Sequence, residues 1–140
     1  VFVQTELTPS LPPLFCDRNQ VSQALINLLT NARDAMPGGG VIAIRTYYDN
    51  KRKRLALEVR DQGAGIPPAL QKRIFDPFFT TKEVGKGTGL GLSIVAGMAR
   101  LHGGGVEVNS QEGEGSAFTL WFPLERRNPQ QNNAEIGRYY

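Results

Sequence analysis

The sequence predicts a single α/β domain in which an open sheet is covered on one face by helices. Three observations point to this. An amphipathic helical stretch runs from about Asp17 to Met36. Leu55, Leu57 and Val59 alternate with Ala56, Glu58 and Arg60, which gives a strand one apolar face. A glycine-rich segment then runs directly into the apolar stretch Leu90 to Leu101, long enough for a second helix. With 140 residues the chain suits one domain with a real core and is too short for two large ones. No apolar run approaches transmembrane length, so no direct membrane insertion of this domain is expected.

Taken in order, Val1 to Leu7 alternates well enough for a first strand, ended by Pro9, Pro12 and Pro13. The chain opens on Val rather than Met, inside an apparent element, and is expected to be a domain excised from a longer protein. Asp17 followed by Gln20 reads as an N-cap with its capping-box partner, and Pro37-Gly38-Gly39-Gly40 stops the helix they begin. Val41 to Tyr48 and Leu55 to Arg60 are paired strand candidates around the basic run Lys51-Arg52-Lys53-Arg54. That run is expected to be a solvated turn: no second basic cluster or aromatic interleaves with it, the net charge is only +3, and no nucleic-acid partner is expected. A short helix is expected from Pro67 or Pro68 to Arg73. The last strands are Val106 to Asn109 and Ala117 to Phe122, and from Glu125 the chain is polar, a tail or linker following a domain of residues 1–124.

Chemistry concentrates in three places. At about 100° per residue, Gln23, Asn27, Asn31 and Asp34 share one arc of roughly 80° on the first helix, opposite Leu25, Leu28, Ala32 and Ala35. This mostly neutral amide arc suits a hard cation or a polar ligand, and equally an ordinary solvent face. The strand ending at Arg60 delivers Asp61-Gln62-Gly63-Ala64-Gly65-Ile66, where two glycines allow a tight bend and let Asp61 project into a cleft. The segment Thr80 to Leu92 places lysines and repeated glycines before a helix N-terminus, a phosphate cradle or a bare surface loop. It fits neither the Walker pattern nor, in context, the dinucleotide fingerprint, since Lys86 precedes Gly87 and no strand leads into it. The aromatics of Phe75-Asp76-Pro77-Phe78-Phe79 fit either the core or the base of that loop. His102, the only histidine, reads as a structural residue at a helix end, and the single cysteine, Cys16, forms no internal disulfide.

The order of these motifs resembles the catalytic ATP-binding domain of bacterial sensor histidine kinases over roughly residues 1 to 124. Asn27-Leu28-Leu29-Thr30-Asn31-Ala32-Arg33-Asp34-Ala35 is similar to the N box, and Asp61-Gln62-Gly63-Ala64-Gly65-Ile66 to the first glycine box. Phe75-Asp76-Pro77-Phe78-Phe79 resembles the F box, and Gly85-Lys86-Gly87-Thr88-Gly89-Leu90-Gly91-Leu92 the second glycine box. Thr80-Thr81-Lys82 and Asn31 to Pro37 are most similar to the nitrogen-regulatory and related subclasses. The resemblance implies an α/β two-layer sandwich, the Bergerat fold: a mixed, mostly antiparallel sheet covered on one face by about three helices. It implies ATP and Mg²⁺ as cofactors.

By the same resemblance, Asn31 would coordinate Mg²⁺ with Asn27 beside it, and Asp61 would accept the adenine amino hydrogen over a floor shaped by Gly63 and Gly65. Ser116 would lie near the adenine. Gly87, Gly89 and Gly91 would offer N–H groups to the phosphates, and Lys82 and Lys86 would be counter-charges from a lid that orders when phosphates arrive. Asp34, Ile66, Phe75, Thr88, Leu90 and Leu92 complete the implied nucleotide contacts, with Asn27, Asn31, Lys82 and Lys86 as the implied catalytic set. Hydrolytic relatives of the fold, among them type II topoisomerases and heat-shock chaperones, carry a glutamate at the position of Asn27; an amide is a very poor base, which favours transfer to a protein side chain. The implied acceptor is a histidine on a separate dimerisation domain, with a response-regulator receiver domain as the further partner, in a homodimeric protein whose catalytic domain is cytoplasmic. Two alternatives are an anti-sigma-factor-type serine kinase and a nucleotide-dependent interaction module without catalysis.

Overall fold

A computed structural model describes residues 1–80 and 89–124. Five strands form one sheet in the order β1-β2-β3-β5-β4: β1 (Phe2–Leu7), β2 (Val41–Asp49), β3 (Arg54–Asp61), β4 (Gly105–Gln111) and β5 (Gly115–Pro123). Only β1 and β2 are parallel, because α1 (Arg18–Asp34) carries the chain back between them; the other pairs are antiparallel. α1, the short α2 (Pro68–Gln71) and α3 (Gly91–Leu101) complete the second layer, which is the mixed, mostly antiparallel two-layer arrangement expected. Among the described residues no helix is long and apolar enough to cross a membrane.

The apolar arc of α1 sets the core. Ala24, Leu28 and Ala32, spaced four apart, are almost wholly buried against Val59 of β3, Phe118 and Leu120 of β5, and Val95, Met98 and Ala99 of α3. Full burial of a side chain such as Leu28 contributes about 1.5–3 kcal/mol. Asp17 caps α1 as expected, its carboxylate accepting from the amides of Asn19 (2.9 Å) and Gln20 (3.2 Å). The reciprocal half of the capping box is absent. Asp17 N–H instead donates to His102 Nε2 at 3.0 Å, while His102 Nδ1 lies 2.8 Å from the Met98 carbonyl. The ring therefore carries its proton on Nδ1, is neutral, and ties the start of α1 to the end of α3. It is buried edge-on against Phe122.

The basic run divides. Asp49 caps the turn by accepting from the amides of Lys51 and Arg52, and Lys51, Arg52 and Lys53 are exposed as expected. Arg54 is not part of the solvated turn: it begins β3 and is buried, stacked 4.5 Å over the Trp121 ring and bonded to both carboxylate oxygens of Glu107 at 3.0 Å. Its stem and the ring cover Ala56 on the sheet face away from the helices, so that face of β3 is closed by amphipathic side chains rather than left open. α2 is two residues shorter than expected, ending at Gln71. It buries no side chain and has no side-chain cap, and 3₁₀-like turns closed by Arg73 and Asp76 carry the chain onward.

Replacing His102 by alanine removes both bonds and leaves a cavity beside Phe122. The expected loss is about 2–4 kcal/mol of stability, read as a lower urea midpoint with unchanged slope; an unaltered midpoint would show that the tie carries no load.

Candidate functional site

A cavity of about 860 Å³ opens between α1, the β3–α2 loop, α2 and the first turn of α3. Its size and mixed lining suit a ligand of nucleotide dimensions. One wall is the polar arc of α1, with Asn27, Thr30, Asn31 and Asp34 facing in; the opposite wall is apolar, from Ile66, Leu70, Ile74 and Phe79.

The closed end is Asp61. As the last residue of β3 it pairs with Ser116 of β5 and is only 3% exposed. Its Oδ1 accepts from Gly63 N–H at 2.8 Å, and the nearby Ser116 amide also favours the charged form. Oδ2 is fully buried with no hydrogen-bond partner among the described residues. Burial outweighs the two amides and pushes the Asp61 pKa up. A buried acceptor left unmade costs about 1–3 kcal/mol or more.

The loop after Asp61 is locked to the β4–β5 hairpin. Gly65 has φ +74°, and a Cβ there would collide with the Gln111 carbonyl; only glycine fits. Ala64 O accepts from Gly113 N–H at 2.7 Å, and Ile66 N–H donates to Ser110 Oγ at 2.8 Å. Gly63 does not line the cavity; it lets the loop pass against the Ala35 carbonyl at the end of α1, so its part in the floor is indirect.

At the open end the α1 and α3 walls meet. Asn27 Nδ2 donates to the Gly91 carbonyl at 3.4 Å, and Asn27 Oδ1 accepts from Gln23 at 3.0 Å. Asn31, one turn on, faces the cavity with no side-chain hydrogen bond among the described residues. Asp34 lies on the rim beside Arg33, 3.2 Å from its guanidinium. The N-cap of α3, Leu90, gives no side-chain cap, so the first amides of that helix, beginning at Gly91 and Leu92, are not satisfied by it. Gly91 and Leu92 line the cavity, as does Gly89, whose φ of +71° and contact with the Phe78 backbone no other residue could sustain. Phe78 itself has φ +67° and donates its N–H to Gly89 O at 2.8 Å, which joins the two ends of the intervening segment.

Most sequence-predicted residues thus gather at one cavity: Asn27, Asn31, Asp34, Asp61, Gly65, Ile66, Gly89, Gly91, Leu92 and Ser116. Phe75 does not line it; its ring packs edge-on against core Phe118 at 6.2 Å, and Phe79 takes the lining position. Lys82, Lys86, Gly87 and Thr88 lie outside the described residues. The sequence alone carries no sign of the apolar lining residues Leu70 and Ile74, leaves Phe79 open between core and loop base, and carries no sign of Ser110. The hairpin register, which sets Ser110 opposite Ser116, was the available signal for the latter.

Comparison with known proteins accords with this geometry. Residues 16–126 match the model of the family described as histidine kinase-, DNA gyrase B- and HSP90-like ATPase. Sensor kinase CckA of Brucella abortus is 44% identical over 124 residues, covering 79% of this chain and 13% of that protein. Sensory histidine kinase/phosphatase NtrB of Rhodobacter capsulatus is 38% identical over 135 residues, covering 89% of this chain and 37% of its own length, in keeping with the nitrogen-regulatory resemblance. The chain therefore spans only a minor part of these relatives. The nucleotide-free catalytic domain of histidine kinase ThkA superposes with a TM-score of 0.75 at 34% identity, over 87% of this chain and 78% of that one. The chain belongs to the histidine kinase-, DNA gyrase B- and HSP90-like ATPase family, and within it to the ATP-binding catalytic domains of sensor histidine kinases.

Proposed function

We propose that the cavity binds ATP with Mg²⁺ and transfers the terminal phosphoryl group to a histidine carried by a separate dimerisation domain, from which a response-regulator receiver domain takes it. The observation that carries the nucleotide assignment is the Asp61 carboxyl group, which lines the closed end of the cavity with its Oδ1 held by the Gly63 amide. An exocyclic amino group is the donor that satisfies it, with Ile66, Ile74 and Phe79 as apolar contacts for the base. The triphosphate then runs along the polar arc of α1 toward the first amides of α3, where backbone N–H groups and the helix dipole favour negative charge.

The donor set fits a hard cation. Asn31 would hold Mg²⁺ through its side-chain oxygen, and Asn27 stands beside it; phosphate oxygens and water suffice for the rest of an octahedral shell. When bound, the ion neutralises charge on the phosphoryl oxygens. The chain's own residues position the nucleotide: Asp61 fixes the base, Asn27 holds α1 to α3 at the phosphate end, and Lys82 and Lys86, outside the described residues, are the proposed counter-charges. Catalysis is then positioning and charge stabilisation of an in-line transfer. No carboxylate occupies the position of Asn27, whose amide cannot activate water; this favours transfer over hydrolysis. His102 is unsuited as acceptor, being 5% exposed with both ring nitrogens engaged.

Asp61→Asn turns an acceptor into a mixed group and is expected to weaken ATP about 10- to 100-fold, roughly 1.4–2.8 kcal/mol, with Mg²⁺ dependence retained. Asn31→Ala is expected to lose chiefly the Mg²⁺-dependent part. Calorimetric titration with and without Mg²⁺ reads both, and unchanged binding in both variants refutes the site.

Burial raises the Asp61 pKa, so the folded chain holds that proton to higher pH than the unfolded chain. Its contribution to stability is full below the ordinary carboxylate value and is lost as pH rises through the raised one. Urea midpoints across acid pH should show this fall in the nucleotide-free chain, and Asp61→Asn should flatten it.

With radiolabelled ATP the isolated chain is expected to stay unlabelled. Adding a helical dimerisation domain that bears a histidine should place acid-labile phosphate on that domain. Stoichiometric label on His102 would overturn the reading.

A further inference from the structure

The closed end of the cavity is organised by a hydroxyl that does not line it. Ser110 of β4 stands opposite Ser116 of β5, and its Oγ has three partners. These are the Ile66 amide at 2.8 Å, Ser116 Oγ at 2.8 Å and the Gly115 carbonyl at 3.0 Å. A hydroxyl offers one proton and two lone pairs. The Ile66 N–H can only donate and the Gly115 carbonyl can only accept. A single assignment therefore satisfies all three contacts: Ser110 gives its proton to Gly115 and accepts from Ile66 and from Ser116.

The Ser116 proton is thereby directed at Ser110, away from the cavity. Ser116 is left with acceptor capacity alone toward the cavity it lines, where its register partner Asp61 also presents a carboxyl group. Two neighbouring acceptors suit the two hydrogens of a 6-amino group and repel a 6-oxo oxygen in the same place. Gln71 holds the hub in place: its Nε2 donates to the carbonyls of both Ile66 (2.9 Å) and Ser110 (3.2 Å), tying the loop and the hairpin together from behind.

We propose that Ser110 is a positioning residue that sets base specificity, holding the Ser116 proton away from the cavity so that the closed end selects a 6-amino over a 6-oxo purine nucleotide. This rests on the nucleotide reading above. In Ser110→Ala the Ser116 hydroxyl is released to donate toward an oxo group, and Ile66 N–H loses its acceptor.

The test is calorimetric titration of the folded chain with ATP and with inosine triphosphate, both with Mg²⁺. Wild type is expected to prefer ATP. Ser110→Ala should lower the ratio of ATP to inosine triphosphate affinity about five- to tenfold, and Ser110→Thr, which restores the hydroxyl, should recover it. Ser110→Cys keeps the volume with a weakly bonding thiol; it should lose the ratio too and serves if the alanine variant does not fold. Equal weakening of both nucleotides at an unchanged ratio would mean a purely structural role and overturn the proposal, as would a wild type without preference. A wild type that binds neither nucleotide would instead defeat the ATP reading itself.

Discussion

A carboxylate buried at the end of a central strand governs how this domain is put together. Asp61 is taken out of water with one oxygen satisfied by neighbouring backbone and the other left waiting. Such a group is tolerable only if its surroundings hold it rigidly. The tight loop through Gly63 and Gly65, the strand pairing with Ser116, and the hairpin pressed against that loop all serve this end. The site is thus built on regular structure at its closed end and on helix ends at its open one. In the function proposed, specificity for the base and accommodation of the phosphates fall to these different materials.

The first helix works on two sides at once. Its small and aliphatic residues, Ala24, Leu28 and Ala32, let it sit close on the sheet, and the opposite arc of amides faces the cavity. A helix with so little charge on its polar side gains little from solvent. Its position is instead fixed at its two ends: Asp17 is joined to α3 through His102, and Ala35 is met by the loop after β3. Because α3 also lines the open end of the cavity, the His102 tie holds two walls of the same cavity in register.

The elements were legible because each has a strong period or a strong stop. Asp17, Pro37-Gly38-Gly39-Gly40 and the alternation of Leu55 to Arg60 fix boundaries to within a residue or two, and the four motifs in order locate the cavity. What escaped depends on pairing across the chain. Arg54 read as turn because it ends a basic run, yet strand register sets it over Trp121. Phe75 and Phe79 could not be told apart, since an irregular segment has no period to say which ring turns inward. Gln20 looked like the capping partner of Asp17, but a histidine more than eighty residues away supplies the acceptor. Ser110 carried no motif, and only the β4–β5 register reveals it.

The stack of Arg54 on Trp121 has a practical side. The chain has a single tryptophan, and it lies on the sheet face turned away from the helices, wedged between a guanidinium and Gly105, where a Cβ would meet the indole ring at 2.9 Å. Its emission therefore reports on the integrity of the central strands. The cavity is on the opposite face, and none of the indole's neighbours Arg54, Ala56 and Gly105 lines it. The domain carries an optical gauge of its scaffold that is separate from its working side.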